Sequence, residues 1–143
     1  MARIDFYVLS HSGERARQAF ACRLAEKAYR LDNTVHIQTQ DREAAERMDD
    51  LLWTFRDGSF VPHHVLGRGG RTDGDSPVTI APVTEGSTEA DLLINLCDEV
   101  PESAPSFPRI AELVTSDEDA KAKSRKRFAA YRDQGHEIET HKL

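Results

Sequence analysis

Lys121, Arg125, Phe128 and Arg132 fall at i, i+4, i+7 and i+11, a spacing that sets four side chains on one face of an α-helix. Ala120, Ser124, Phe128 and Tyr131 make the neighbouring stripe, which can pack on a sheet. The product is a basic face edged by aromatic rings. It suits a peptide that carries acids and an apolar end, or a phosphate backbone. Residues 121–132 hold six basic side chains and no acid, so the net charge of −6 leaves −12 on the remainder. Exposed basic helices are often only solvated faces, but an acidic body with one basic stripe fits docking of a particular anionic partner. It does not fit a protein that coats nucleic acid by bulk charge.

A second grouping is aromatic. Trp53, Phe55 and Phe60 come within eight residues, spanning a helix end and the loop Ser59-Phe60-Val61-Pro62-His63. Trp53 lies off the apolar face made by Ala44, Ala45, Met48, Leu51, Leu52 and Phe55. A large apolar side chain in a proline-containing surface loop is a candidate anchor for a protein partner. The alternative is a Phe60 that folds back on the helix end.

Enzyme-like chemistry has weaker support. Cys97 follows an apolar run where α/β enzymes place catalytic groups, and His63 could serve as its base. No oxyanion hole is evident nearby, and buried cysteines usually act as small hydrophobes. Ser10-His11-Ser12-Gly13 precedes a helix and could cradle an anion. Gly67, Gly69, Gly70 and Gly74 lack the dinucleotide spacing, and the Gly-Lys-Ser/Thr phosphate loop is absent. His63-His64, His11, His36, His136 and His141 show no recurrent ligand spacing, so no metal and no cofactor are expected. Cys22 and Cys97 form no redox pair by spacing, and Asp49-Asp50 and Asp98-Glu99 read as solvated faces. A small α/β enzyme or nucleotide-binding protein using Cys97 with His63, or the 10–13 loop, stands as the competing class.

These groups need a scaffold. The 143 residues, 38% apolar and 31% charged, predict one domain spanning 1–143 with its own core. Ile4–Leu9 reads as a strand, 13–31 as a helix with Phe20, Leu24, Ala28 and Leu31 in one stripe, and 34–39 as a second strand. Asp41 caps a second helix, 59–64 reads as a loop, and 67–77 as a flexible or tightly turned Gly-rich segment. Val78–Ile80, Leu92–Cys97 and Ile110–Val114 are further strands. Thr115 and Glu118 stand in capping-box spacing before a last helix to about residue 134, with Gly135 at its C′ position and an extended tail from Ile138. The pattern predicts a three-layer α/β domain, a mostly parallel sheet flanked by helices, like mononucleotide-binding folds. No apolar run is long enough for a membrane span, and the charged start excludes a signal peptide, so a soluble cytoplasmic protein is expected.

Five segments resemble the chi subunit of bacterial DNA polymerase III holoenzyme. They are Asp5-Phe-Tyr-Val-Leu9, Arg47-Met-Asp-Asp-Leu-Leu-Trp-Thr-Phe55, Ser59-Phe-Val-Pro-His63, Asp91-Leu-Leu-Ile-Asn-Leu96 and Arg125-Lys-Arg-Phe-Ala-Ala-Tyr-Arg132. They stand in the family's order across nearly the whole chain. The resemblance implies a non-catalytic accessory subunit of the clamp-loader assembly, with an α/β fold lacking a working nucleotide site. It implies two partners: the psi subunit, and the acidic, Phe-ended C-terminal tail of the single-stranded-DNA-binding protein. By that resemblance Phe60, with Val61 and Trp53, faces psi. Val114, Lys121, Arg125, Phe128 and Arg132 form the tail site, Arg125 meeting carboxylate and Phe128 and Val114 lining a pocket for the terminal ring. Contact with DNA would be indirect or weak.

Overall fold

A computed structural model describes residues 2–56, 58, 60–67 and 76–143. Along the chain lie β1 (Arg3–Val8), α1 (Glu14–Arg30), β2 (Val35–Thr39), α2 (Arg42–Thr54), β3 (His63–Val65) and β4 (Val78–Pro82). Then come β5 (Leu92–Asn95), β6 (Arg109–Val114), α3 (Glu118–Asp133) and β7 (Glu137–Lys142). The seven strands form one sheet in the order β3-β4-β2-β5-β6-β1-β7, and every pairing among the described residues is parallel.

Period-two alternation sends each strand's side chains to two cores. Ile37, Ile94, Ala111 and Leu113 pack with Ala21, Cys22 and Ala25 of α1 and with Ala45, Met48 and Leu52 of α2. Ile4, Phe6, Leu93, Ile110 and Val114 pack on the other face, where α3 supplies Tyr131 and the 104–107 turn supplies Ala104 and Phe107. The layers are therefore α1 and α2, the sheet, then α3.

Several local readings shift. Residues 63–65 pair with β4 rather than forming a loop. The extended tail is β7, paired with β1 through backbone bonds. Its only large apolar residue is Ile138, so side-chain patterning carried no strand signal. Helix α1 turns its small residues to the sheet, leaving Leu31 65% exposed and Phe20 and Leu24 partly buried. Small side chains permit close helix–sheet approach, and that outweighs the larger stripe. Asp41 caps α2 as expected, its Oδ1 accepting the Ala44 N–H at 2.8 Å. The Thr115–Glu118 capping box does not form. The residue before α3 is Asp117, and the Thr115 hydroxyl donates to its Oδ2 at 2.8 Å. Gly135 does stop α3, with φ 80°, a left-handed conformation that glycine adopts without a Cβ penalty. Of the Gly-rich segment, 68–75 lies outside the described residues.

One buried charge orients α3. Glu112, on β6 between Ala111 and Leu113, is fully buried and faces the helix. Its Oε1 accepts from Arg127 Nε at 2.8 Å. Its Oε2 accepts from Tyr131 Oη at 2.6 Å and from Asn95 Nδ2 at 2.8 Å. Arg127 also donates through Nη1 to the Asp98 carbonyl at 3.0 Å. Burial, followed by the Glu112 charge, pushes the Tyr131 phenol far above its ordinary range, so its proton stays in the bond. Removing one partner of a buried ion pair strands the other. Glu112→Ala should therefore lower the unfolding free energy by about 3–5 kcal/mol, read by urea denaturation.

Candidate functional site

Where α3 crosses β1 it leaves a groove of about 330 Å³. Phe6 and Val8 of β1 and Val114 of β6 make its floor, Thr140 of β7 one wall, and Arg125, Phe128 and Arg132 of α3 the other. The Phe128 ring lies 5.4 Å from that of Phe6. The rotation of α3 that carries Arg127 and Tyr131 to Glu112 is the one that turns Arg125 and Arg132 outward. Arg125 is exposed and has no ion pair among the described residues. Arg132 has only exposed Asp133, 3.5 Å away.

The basic stripe is thus less uniform than its spacing suggests. Arg127 is internal. Lys123 bridges Asp98 at 3.3 Å and Asp119 at 3.4 Å, and hydrogen bonds to those carboxylates hold its ammonium above the usual lysine range. Lys121 reaches back to Glu118 at 3.9 Å and does not line the groove.

The aromatic grouping forms a ledge at the β3 edge of the sheet. Trp53 is 54% exposed and Phe60 64%, their ring centroids 5.8 Å apart. Phe60 does not fold back into the core. Val61 does: only 1% of it is exposed, and it packs among the residues of α1 and α2. The expected surface role of the Val61 side chain is therefore corrected, because alternate residues of this short segment point to opposite sides. His63 sits beneath the ledge, its ring 4.6 Å from that of Trp53.

The enzyme-like residues are not brought together. His63 lies on β3, and Cys97 follows β5; β4 and β2 intervene, a separation of about 14 Å at ~4.8 Å per strand. The Cys97 thiol is buried, 3.7 Å from the Gln38 carbonyl, and burial, then the Glu112 charge, pushes it up to about 12. At the start of α1 the Gly13 N–H donates to Asp117 Oδ2 at 2.9 Å, so a carboxylate of the chain itself takes one of the N–H groups of the 10–13 loop. That bond and the Thr115 hydroxyl hold Asp117 below the ordinary carboxylate range.

A larger cleft, about 850 Å³, opens at the C-terminal ends of β2 and β5, the usual ligand position in such sheets. Asp98, Glu99 and Glu102 line it, a poor receptor for phosphate. Gln38 Nε2 is already committed to the Ala81 and Gly86 carbonyls, each at 3.0 Å. Asp5, Glu139 and His141 converge closely enough to hold a cation. Arg109 sits 3.2 Å from Asp5, however, and Arg3 2.5 Å from Glu139, so two guanidiniums supply the positive charge. Although burial opposes it, the hydrogen bond from His141 and the two arginines hold Asp5 below its usual range. No spacing in the sequence signals this cluster, because strand pairing creates it.

A family model described as DNA polymerase III chi subunit, HolC, matches residues 1–139. The chain belongs to the DNA polymerase III chi subunit family. DNA polymerase III subunit chi of Pseudomonas aeruginosa is 37% identical over 143 residues, covering 100% of this chain and 98% of that protein. The Escherichia coli subunit chi is 32% identical over 145 residues, covering 98% and 97%. Among solved structures T4 UvsW superposes with a TM-score of 0.69 at 8% identity. It shares the fold alone; the match covers 99% of this chain and 41% of that one. In this chi-family chain the ledge and the groove lie toward opposite edges of the sheet. β3 and β1 are five strand spacings apart, about 24 Å at ~4.8 Å each.

Two measurements check the burial. Cys97 and Cys22, both buried and both raised to about 12, should resist a thiol reagent at neutral pH until the protein is unfolded. His36 is buried, bonded through Nδ1 to the Thr79 hydroxyl at 2.7 Å, and burial lowers its pKa to about 4 against an opposing bond from Gln38. A histidine depressed in the fold stabilises fully above its unfolded pKa, and that stability is lost as pH falls from ~6.5 toward about 4. Urea unfolding should show a loss of up to about 3 kcal/mol across that window, and His36→Asn should flatten it.

Proposed function

We propose that this chain is a non-catalytic bridge within the DNA polymerase III assembly, working with the replicase in the cytoplasm. The groove receives the acidic, Phe-ended C-terminal tail of the single-stranded-DNA-binding protein. The Trp53–Phe60 ledge docks psi, which ties the chain to the clamp loader. The observation that carries the first half is Arg125, without a carboxylate partner among the described residues, above an apolar floor of Phe6, Val8, Val114 and Phe128. Such a site pairs a carboxylate with guanidinium and buries a ring beside it, and charge-assisted contacts of that kind are the strong ones. Arg132 adds to the field, and Lys121 contributes from outside the groove. The separation of ledge and groove supports simultaneous occupancy.

Direct DNA binding is less favoured. Lys121, Lys123 and Arg127 are paired internally, leaving few cations for phosphates on a chain of net charge −6. An acidic peptide ending in Pro-Phe, titrated by fluorescence anisotropy, tests the reading. Arg125→Ala should weaken binding about tenfold or more, and deleting the terminal Phe should abolish it. Folded wild-type protein that ignores the peptide would remove the tail-docking role. Single-stranded DNA binding that falls steeply with salt would assign the helix to phosphates instead.

A further inference from the structure

His63 has an oxygen acceptor against each ring nitrogen. Nδ1 lies 2.6 Å from the Val61 carbonyl. Nε2 lies 3.2 Å from the Asp49 carbonyl and 3.2 Å from Asp49 Oδ1. A neutral imidazole carries one N–H and one lone pair. Either neutral tautomer therefore sets a lone pair against oxygen, at one nitrogen or the other. Only the imidazolium donates on both sides, and no accessible surface remains on the ring for water to intervene. Asp49 supplies a countercharge, and among the described residues no Lys or Arg forms an ion pair with it. Helix α2 contributes Asp49 and the Trp53 ring, the loop contributes Val61 and Pro62, and β4 places Val78 opposite in register.

The two acceptors belong to the two elements that build the ledge. Val61 follows Phe60 in the loop, and Asp49 lies one helical turn before Trp53 on α2. We infer that His63 is a protonated clasp, holding the Phe60 loop to α2 so that the two-ring ledge exists in its docking form while the imidazole carries both protons. Loss of one proton turns one of the two bonds into an oxygen–lone-pair contact and releases either the loop or the helix side. Docking at the ledge is then linked to proton uptake at His63, a consequence that rests on the reading of this face as the psi surface. His63 is a positioning residue: it acts on the partner through the two rings and touches nothing outside the chain.

Trp53 is the only tryptophan in the chain, so its emission reports on the clasp without any partner. In the wild type, emission should change with a single transition as pH is scanned from about 5 to about 9, the range in which histidines exchange protons. His63→Gln, which keeps one donor and cannot charge, should lose that transition while retaining the folded circular dichroism spectrum. Nitrogen-15 shifts of His63 in the wild type should show both ring nitrogens protonated on the acid side. A titration unchanged by His63→Gln, or a nitrogen lone pair on folded His63 at about pH 6, overturns the clasp. If the variant fails to fold, the wild-type nitrogen shifts decide alone. With purified psi, affinity should weaken as pH rises in the wild type and be flat in His63→Gln. Psi binding untouched by Phe60→Ala would sink the docking reading, while the emission and nitrogen measurements would still judge the clasp.

Discussion

A carboxylate with no exposed surface governs this molecule. Glu112 sits in the middle of β6 with apolar neighbours before and after it, and an unpaired charge there would cost several kcal/mol. Asn95 of β5 and Arg127 and Tyr131 of α3 all donate to it. The three donors satisfy both oxygens only when α3 lies at one rotation and one height on the sheet. Arg127 and Asn95 also hold the Asp98 and Glu99 carbonyls, so the loop leaving β5 is set by the same charge. A helix with an ordinary apolar stripe could slide or rotate at modest cost; this one cannot.

The groove follows from that rotation. With Arg127 and Tyr131 turned inward, Arg125 and Arg132 are left at the rim and Phe128 against Phe6. Within the same run Lys121 pairs with Glu118 and Lys123 with Asp98 and Asp119, while Lys126 is exposed, and Asp117 accepts the Gly13 N–H at the start of α1. Arg125 and Arg132 thereby stand together over one apolar recess.

The ledge has a different origin. Helix α2 buries Ala45, Met48 and Leu52 and so turns Trp53 to solvent, while Val61 anchors the following loop in the core and throws Phe60 outward. His63 joins the two. The sheet order then sets ledge and groove toward opposite edges of one parallel sheet.

Periodicity, with Asp41 and Gly135 marking helix ends, made the α/β class, three helices and the outward position of Trp53 legible, because burial of apolar side chains repeats every 3.6 residues in a helix and every two in a strand. It also brought Arg125, Phe128 and Arg132 to one face. The likeness of five segments to the chi family was legible in local residue order, which is what a family preserves. Tertiary structure decided the rest. Glu112 and Arg127 looked like one acid in a strand and one cation in a stripe, and only their pairing across 15 positions made them the pin of the fold. Strand β7 had no apolar pattern to announce it, since it is held by backbone bonds and by Asp5 meeting His141 across 136 positions. Val61 and Phe60 are neighbours of similar character, and which one is buried depended on the α1–α2 core beneath them. Contacts between distant residues are set by the packing of whole elements, so local sequence carries the parts and the assembled sheet decides which of them meet.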